Sequence, residues 1–137
     1  MTAIPTDSQD RSPFRAAVES KDLDAVLATL APDVHFRSPV VFSAYEGRDS
    51  VGALLRLVAE VLGPELRYQW QARDGEREVL CFSSRIGDRE IEGVDILRYD
   101  SNGRVAELVV MVRPASAMLA LRDAMGEKLK ALAAQAT

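Results

Sequence analysis

The chain is poor in the residues that most often carry chemistry. Its 137 residues include one cysteine, one histidine and one tryptophan. Cys81 alone cannot form an internal disulfide, which suits a reducing compartment. His35 has no Cys, His or carboxylate at ligand spacing, so no metal site is expected. Basic residues are scarce and scattered: 17 Lys and Arg against 21 Asp and Glu leave a net charge of −4, with no basic run to attract nucleic acid or an anionic membrane. No apolar run is long enough to span a bilayer, and "MTAIPTDSQDRS" lacks the basic start and apolar core of a secretory signal, so a cytoplasmic location is expected. Phosphate loop, nucleophile elbow and dinucleotide fingerprint are all missing, and nothing calls for a cofactor. What remains is a small neutral or weakly polar ligand, or a protein partner.

What is present is a core. With 47% hydrophobic and 28% charged residues the chain fits one compact domain, spanning 12–137, after a polar and aperiodic tail at 1–11. Ser12-Pro13 is an N-cap and first-turn pair, and Phe14, Ala17 and Val18 share the face of a helix reaching Ser20. "KDLDAVLATLAPD" restarts the period with Leu23, Val26, Leu27 and Leu30, closed by Pro32. "DVHFRSPVVF" alternates as a short strand ended by Pro39, with Val34, Phe36 and Ser38 opposite His35 and Arg37. "EGRDSVGALLRLVAEVLG" is a third helix, stopped at Gly63-Pro64.

From Glu65 the period changes to two, and Asp74-Gly75, Gly87-Asp88 and Asn102-Gly103 mark tight turns. These predict a meander of four antiparallel strands at 65–73, 76–86, 90–99 and 104–113. A helix over 115–135 follows, with Met118, Leu121, Met125, Leu129 and Leu132 on one stripe. Helices, strand, helix, strands and a final helix make an α+β domain. The last strand is apolar on both faces, through Leu108, Val110 and Val112 on one and Val109 and Met111 on the other. Such a strand needs two covers, so either the C-terminal helix or a second subunit must lie on the outer sheet face, and a homodimer is the expectation.

Asp95 is the residue out of place. It sits mid-strand in "EIEGVDILRY", on a face otherwise made of Ile91, Gly93, Leu97 and Tyr99. Aspartate is depleted from strands, where it packs poorly on the pleated surface. One reading pairs it with an arginine, Arg113 being a candidate; the other places it on the wall of a dry pocket, where desolvation raises its pKa.

The series "AVESKDLDAVLATLAPDVHFRSPV", "YEGRDSVGALLRLV" and "GVDILRYDSNGRVAELVVMV" resembles the nuclear-transport-factor-2-like superfamily, in particular its ketosteroid-isomerase and SnoaL-like branches, over Phe14 to Val112. The resemblance implies a cone-shaped α+β barrel, a strongly curved sheet wrapped around helices with an apolar mouth. A ketosteroid isomerase uses an Asp base and an oxyanion hole of Tyr and protonated Asp. By that resemblance the oxyanion-hole Asp falls on Asp95, the tyrosine on Phe14 and the base on Ser38 of "RSPV". Phenylalanine donates no proton and serine without an adjacent base abstracts none, so the isomerase set is incomplete.

Strand parity supplies the expected pocket: Phe36 and Ser38; Leu80, Phe82 and Ser84; Leu97 and Tyr99 beside Asp95; and Leu108, Val110 and Val112. Phe14 joins through the resemblance, and Tyr45, in the loop before the third helix, is a gate or contact. Trp70 and Tyr68 read as sheet or dimer packing, and Cys81 as a small buried hydrophobe on the outer face. Apolar walls with one placed polar group suit a small hydrophobic ligand, with Asp95 as the candidate catalytic residue. The competing reading is a non-catalytic ligand-binding or protein-interaction module.

Overall fold

The computed structural model describes residues 11–136, and side chains through Ala131; the expected tail at 1–11 therefore lies almost wholly outside the described residues, as does the Leu132 side chain. Two short helices open the domain, α1 (Pro13–Glu19) and α2 (Leu23–Ala28). Each is capped as its sequence dictates: the Ser12 hydroxyl accepts from the Arg15 amide and the Asp22 carboxylate from the Ala25 amide. Strand β1 (Leu30–Arg37) follows at once. Leu30 and Pro32, expected in and after the second helix, belong to this strand instead: Leu30 is paired with Val105, and its carbonyl accepts from the Arg48 guanidinium. Tertiary pairing here overrides the local helical period.

A two-residue strand, β2 (Tyr45–Glu46), pairs with β1 where the sequence suggested a loop; it is too short for periodicity to register. Helix α3 (Arg48–Leu62) then lies against the sheet, burying Val51, Leu54, Leu57 and Leu62. The meander is β3 (Arg67–Asp74), β4 (Arg77–Ile86), β5 (Arg89–Tyr99) and β6 (Val105–Arg113). Its hairpins turn at Gly75 (φ +60°) and Gly87 (φ +62°), values glycine adopts without steric cost. The sheet order is β2-β1-β6-β5-β4-β3, with β1 parallel to β6 and every other pair antiparallel.

β6 ends at the cis Arg113-Pro114 bond, and α4 (Ala115–Ala136) begins directly after it. Helix α4 packs on the same side of the sheet as α3, burying Ala117 and Leu121 against Leu62, Phe82 and Ile91. It therefore cannot cover the outer face. That face carries two apolar rows in register across the meander, Trp70-Cys81-Val94-Met111 and Ala72-Val79-Ile96-Val109. Trp70 is 49% and Met111 55% exposed in the single chain. No described helix is long and apolar enough to cross a membrane.

Candidate functional site

The concave face of the sheet and the four helices enclose a cavity of about 730 Å³. Its walls are apolar from every element: Phe14 and Val18 of α1, Leu54 and Val58 of α3, and Leu121 and Met125 of α4 are representative. The sheet contributes Phe36, Phe82, Leu108 and Val110, and Tyr45 leans in from β2 with its ring 6.3 Å from that of Phe36. Against this background two deep side chains are polar, Asp95 of β5 and Tyr68 of β3.

Asp95 is 8% exposed and faces inward beside Leu97 and Tyr99, flanked by Leu80 on β4 and Val110 on β6. Its Oδ2 accepts a 2.7 Å hydrogen bond from the Tyr68 hydroxyl. Burial pushes its carboxyl up from 3.8 to about 7, the Tyr68 bond pulling the other way. Tyr68 is itself pushed well above the usual phenol range, first by burial and then by the Asp95 charge. At neutral pH the pair thus holds one phenol proton and a carboxyl divided between its acid and its anion. A carboxyl poised in this way is available near neutral pH both as a hydrogen-bond donor to an oxygen and as a proton acceptor.

The pairing of Asp95 with Arg113 does not exist. Arg113 projects from the opposite face of the sheet and binds Glu92 at 3.1 Å. Tyr68, expected in sheet or dimer packing with Trp70, is the cavity's second polar residue because of an irregularity in β3. Tyr68 is opposite Phe82, but Trp70 is opposite Cys81, so one extra residue is accommodated between them. Such a bulge reverses strand parity, placing Tyr68 inside and Trp70 outside. Simple alternation puts both on one face, which is why sequence reasoning missed Tyr68.

Of the expected pocket residues, Phe14, Phe36, Ser38, Tyr45, Phe82, Asp95, Leu108 and Val110 line the cavity. Leu80, Ser84, Leu97, Tyr99 and Val112 do not. Leu80 and Leu97 are wholly buried in the core behind the wall. Ser84 donates to the Leu62 carbonyl at 2.8 Å, and Val112 packs in the cluster around Phe82 and Leu121. Tyr99 donates to the buried Glu78 at 2.6 Å, with Arg73 stacked 4.6 Å from its ring centroid. Parity predicts the face of a residue correctly in each of these cases; it says nothing of depth along the strand or of which helix already fills the space in front.

Ser38 lines the cavity just after β1, and its hydroxyl accepts from the amides of Val40 (3.2 Å) and Val41 (3.0 Å). It shapes the turn after β1. His35 lies on the other face, half-buried and 3.6 Å from Glu46.

Comparison with known proteins bears on the family and the fold. The SnoaL-like domain profile matches residues 13–108. The chain belongs to the SnoaL-like domain family. Its fold is that of the nuclear-transport-factor-2-like superfamily. This SnoaL-like domain superposes on the crystal structure of a steroid delta-isomerase from Pseudomonas aeruginosa with a TM-score of 0.81 at 37% identity, covering 88% of this chain and 89% of that one. A cystatin-like-fold protein from Silicibacter pomeroyi, described only as uncharacterized and conserved in bacteria, gives 0.81 at 31% identity over 86% and 83%. A nuclear-transport-factor-2-like protein of unknown function from Mesorhizobium loti gives 0.66 at 18% over 83% and 100%, a likeness of fold alone. No curated protein sequence matches.

Proposed function

We propose that this SnoaL-like domain binds a small, largely apolar molecule bearing one carbonyl or hydroxyl group, with that oxygen seated at Tyr68 and Asp95, and that Asp95 exchanges a proton with it. The observation that carries this reading is the 2.7 Å Tyr68–Asp95 hydrogen bond at the wall of an otherwise apolar cavity. A volume of about 730 Å³ is the size of site that takes drug-sized ligands. The likeness to a steroid delta-isomerase supports a polycyclic ketone as the substrate class. Ser38, at the isomerase base position, is committed to two backbone amides, so the chemistry rests on Asp95 and is isomerase-like or cyclase-like in kind. The same engagement of Ser38 favours, as the second reading, a binding module that performs no reaction.

The domain works as a homodimer in this proposal, joined through the outer sheet face. Support comes from the paired apolar rows around Trp70 and Met111, an exposed patch of a kind soluble monomers seldom present. A cytoplasmic setting suits the unpaired thiol of Cys81.

Steroid ketones, aromatic polyketides, terpenoids and fatty acids screened by thermal shift against the parent and Asp95→Asn test the binding. A ligand at a hundred times its Kd adds about 2.7 kcal/mol and raises Tm by roughly 5 to 10 °C. A hit whose shift shrinks in Asp95→Asn is expected; equal shifts in both proteins would remove Asp95 from the site. Deuterium uptake next to the carbonyl of the bound ketone in D2O then separates the readings: Asp95-dependent uptake means catalysis, and binding without uptake means a module.

A further inference from the structure

Arg15 is a cation where the fold has little room for one. It sits on α1 with 8% exposure, and a charge there is costly unless it is held by partners. Three contacts fix it. Nη1 donates to Gln71 Oε1 at 2.7 Å; Nε lies 3.4 Å from Glu19 Oε2, without hydrogen-bond geometry; and the guanidinium carbon lies 5.6 Å from the centroid of the Tyr68 ring. Glu19 also takes a 2.7 Å bond from Arg11, so its one negative charge is shared between two arginines. Part of the Arg15 charge is therefore left to act on Tyr68.

We propose that Arg15 is a positioning residue for the Tyr68–Asp95 pair: held behind the Tyr68 ring by Gln71 and Glu19, it strengthens the phenol as a donor and so sets how readily Asp95 parts with its proton. The inference rests on the proposed role of that pair, and it extends the site to side chains outside the cavity. A cation over a ring favours negative charge on that ring. A phenol so placed gives a stronger hydrogen bond, and a stronger bond to the carboxylate favours its ionised form. Consistent with this, Arg15 draws the Tyr68 proton affinity down while burial, Asp95 and Glu19 draw it up. The other charged or titratable groups that line the cavity are Lys21 and Asp22 between α1 and α2, Tyr45 on β2, and Arg122 on α4. Lys21 is tied to the Gly63 and Leu66 carbonyls and Arg122 to Asp123. β4 and β6 place Leu80 and Val110 directly beside Asp95, and the buried Glu78, next along the same face of β4, is held by the Tyr99 hydroxyl at 2.6 Å.

The test is a carbon-13 NMR titration of the Asp95 carboxyl in the full chain without ligand, comparing the parent, Arg15→Met, Arg15→Lys, Tyr68→Phe and the Arg15→Met/Tyr68→Phe double variant. Arg15→Met is expected to move the midpoint upward by about half a pH unit, and Arg15→Lys by less. In the Tyr68→Phe background the effect of Arg15→Met should fall to less than half, since its route runs through the phenol. An unmoved midpoint in Arg15→Met, or an equal displacement with and without Tyr68, overturns the proposal. Should Arg15→Met not fold, Gln71→Leu frees the guanidinium from one anchor; a smaller upward displacement is then expected, and none overturns the proposal. Because the titration uses no ligand, its failure is separate from a failure of the binding and exchange experiments.

Discussion

Tyr68 and Asp95 meet across an intervening strand: β3 and β5 are both hydrogen-bonded to β4, and the phenol reaches over it to the carboxyl at 2.7 Å. Adjacent strands are about 4.8 Å apart, so the two backbones lie nearly 10 Å apart, and the long, rigid tyrosine side chain covers most of that distance. Gly93 lets the Phe82 ring lie close against β5 beside this pair. It shares the inner face of β5 with Asp95, and a Cβ there would strike the Met111 carbonyl and lie 2.7 Å from Phe82 Cζ. The curved wall and the bulge in β3 together create one polar spot in an apolar surface.

The carboxyl makes folding stability depend on pH with a definite sign. Its native pKa, about 7, lies above the unfolded value of 3.8. Between these values the native state holds the proton that the unfolded state has lost, so the contribution of Asp95 is most favourable below pH 4 and declines until pH passes 7. The full difference is roughly 4 kcal/mol as an upper bound. Urea denaturation of the parent and Asp95→Asn at pH 5 and pH 8.5 measures it: Asp95→Asn should gain on the parent at the higher pH. Parallel stabilities at both pH values would mean that Asp95 ionises normally in the folded chain.

Tyr68→Phe removes the hydrogen bond that the Asp95 carboxyl accepts from the phenol while preserving the ring. The carboxylate loses a donor, so the Asp95 midpoint should rise above its value of about 7. The stability cost should be greater where Asp95 is charged, about 1.5 to 3 kcal/mol above pH 8 against about 1 kcal/mol at pH 5. Denaturant midpoints at the two pH values check this, and a cost independent of pH would show that the bond does not discriminate between the two forms of the carboxyl.

Much of this arrangement was legible in the sequence, and its limits are physical. Asp95 stands out because a carboxylate on an apolar strand face has few explanations, and Ser12, Asp22, Gly75 and Gly87 announce the caps and turns they make. The α+β architecture follows from the change of period at Glu65 and is borne out by the fold. Tyr68 was hidden because a bulge is a fact about pairing between strands, and alternation within one strand carries no trace of it. Leu30 was misplaced because its helical spacing is real but its pairing with Val105 is stronger. Leu80 and Tyr99 illustrate the third limit: both face inward as parity requires, yet the core around Ser12 and α1 fills the space before them.

Gly93→Ala tests the packing of the cavity wall. The obstruction is partly backbone, the Met111 carbonyl, which cannot swing aside as a flexible side chain can. Phe82 would have to leave its place beside Leu62 and Leu121. A loss of about 1 to 3 kcal/mol is expected from such overpacking, read as a lower urea midpoint. A variant as stable as the parent would show that β5 and β6 can part locally without cost.

The outer face supplies the last prediction. Trp70, Cys81, Val94 and Met111 form one row across four strands and Ala72, Val79, Ile96 and Val109 the next, the two together bordered by charged residues such as Arg67, Glu92 and Arg113 on one side and Arg77, Arg98 and Glu107 on the other. An apolar strip with a polar margin is the anatomy of a protein interface, and it coincides with the face that α4 leaves bare. Met111→Glu or Val94→Arg places a charge at the centre of that strip while pointing away from the cavity. Light scattering should find the parent at twice the chain mass and either variant at the single-chain mass, because each charge meets its own symmetry mate or apolar surface across a twofold interface. The Asp95 titration should be unchanged in these variants, since no outer-face side chain reaches the Tyr68–Asp95 pair. A parent that scatters as a monomer at every concentration would leave the strip without a second copy to cover it and would overturn the homodimer.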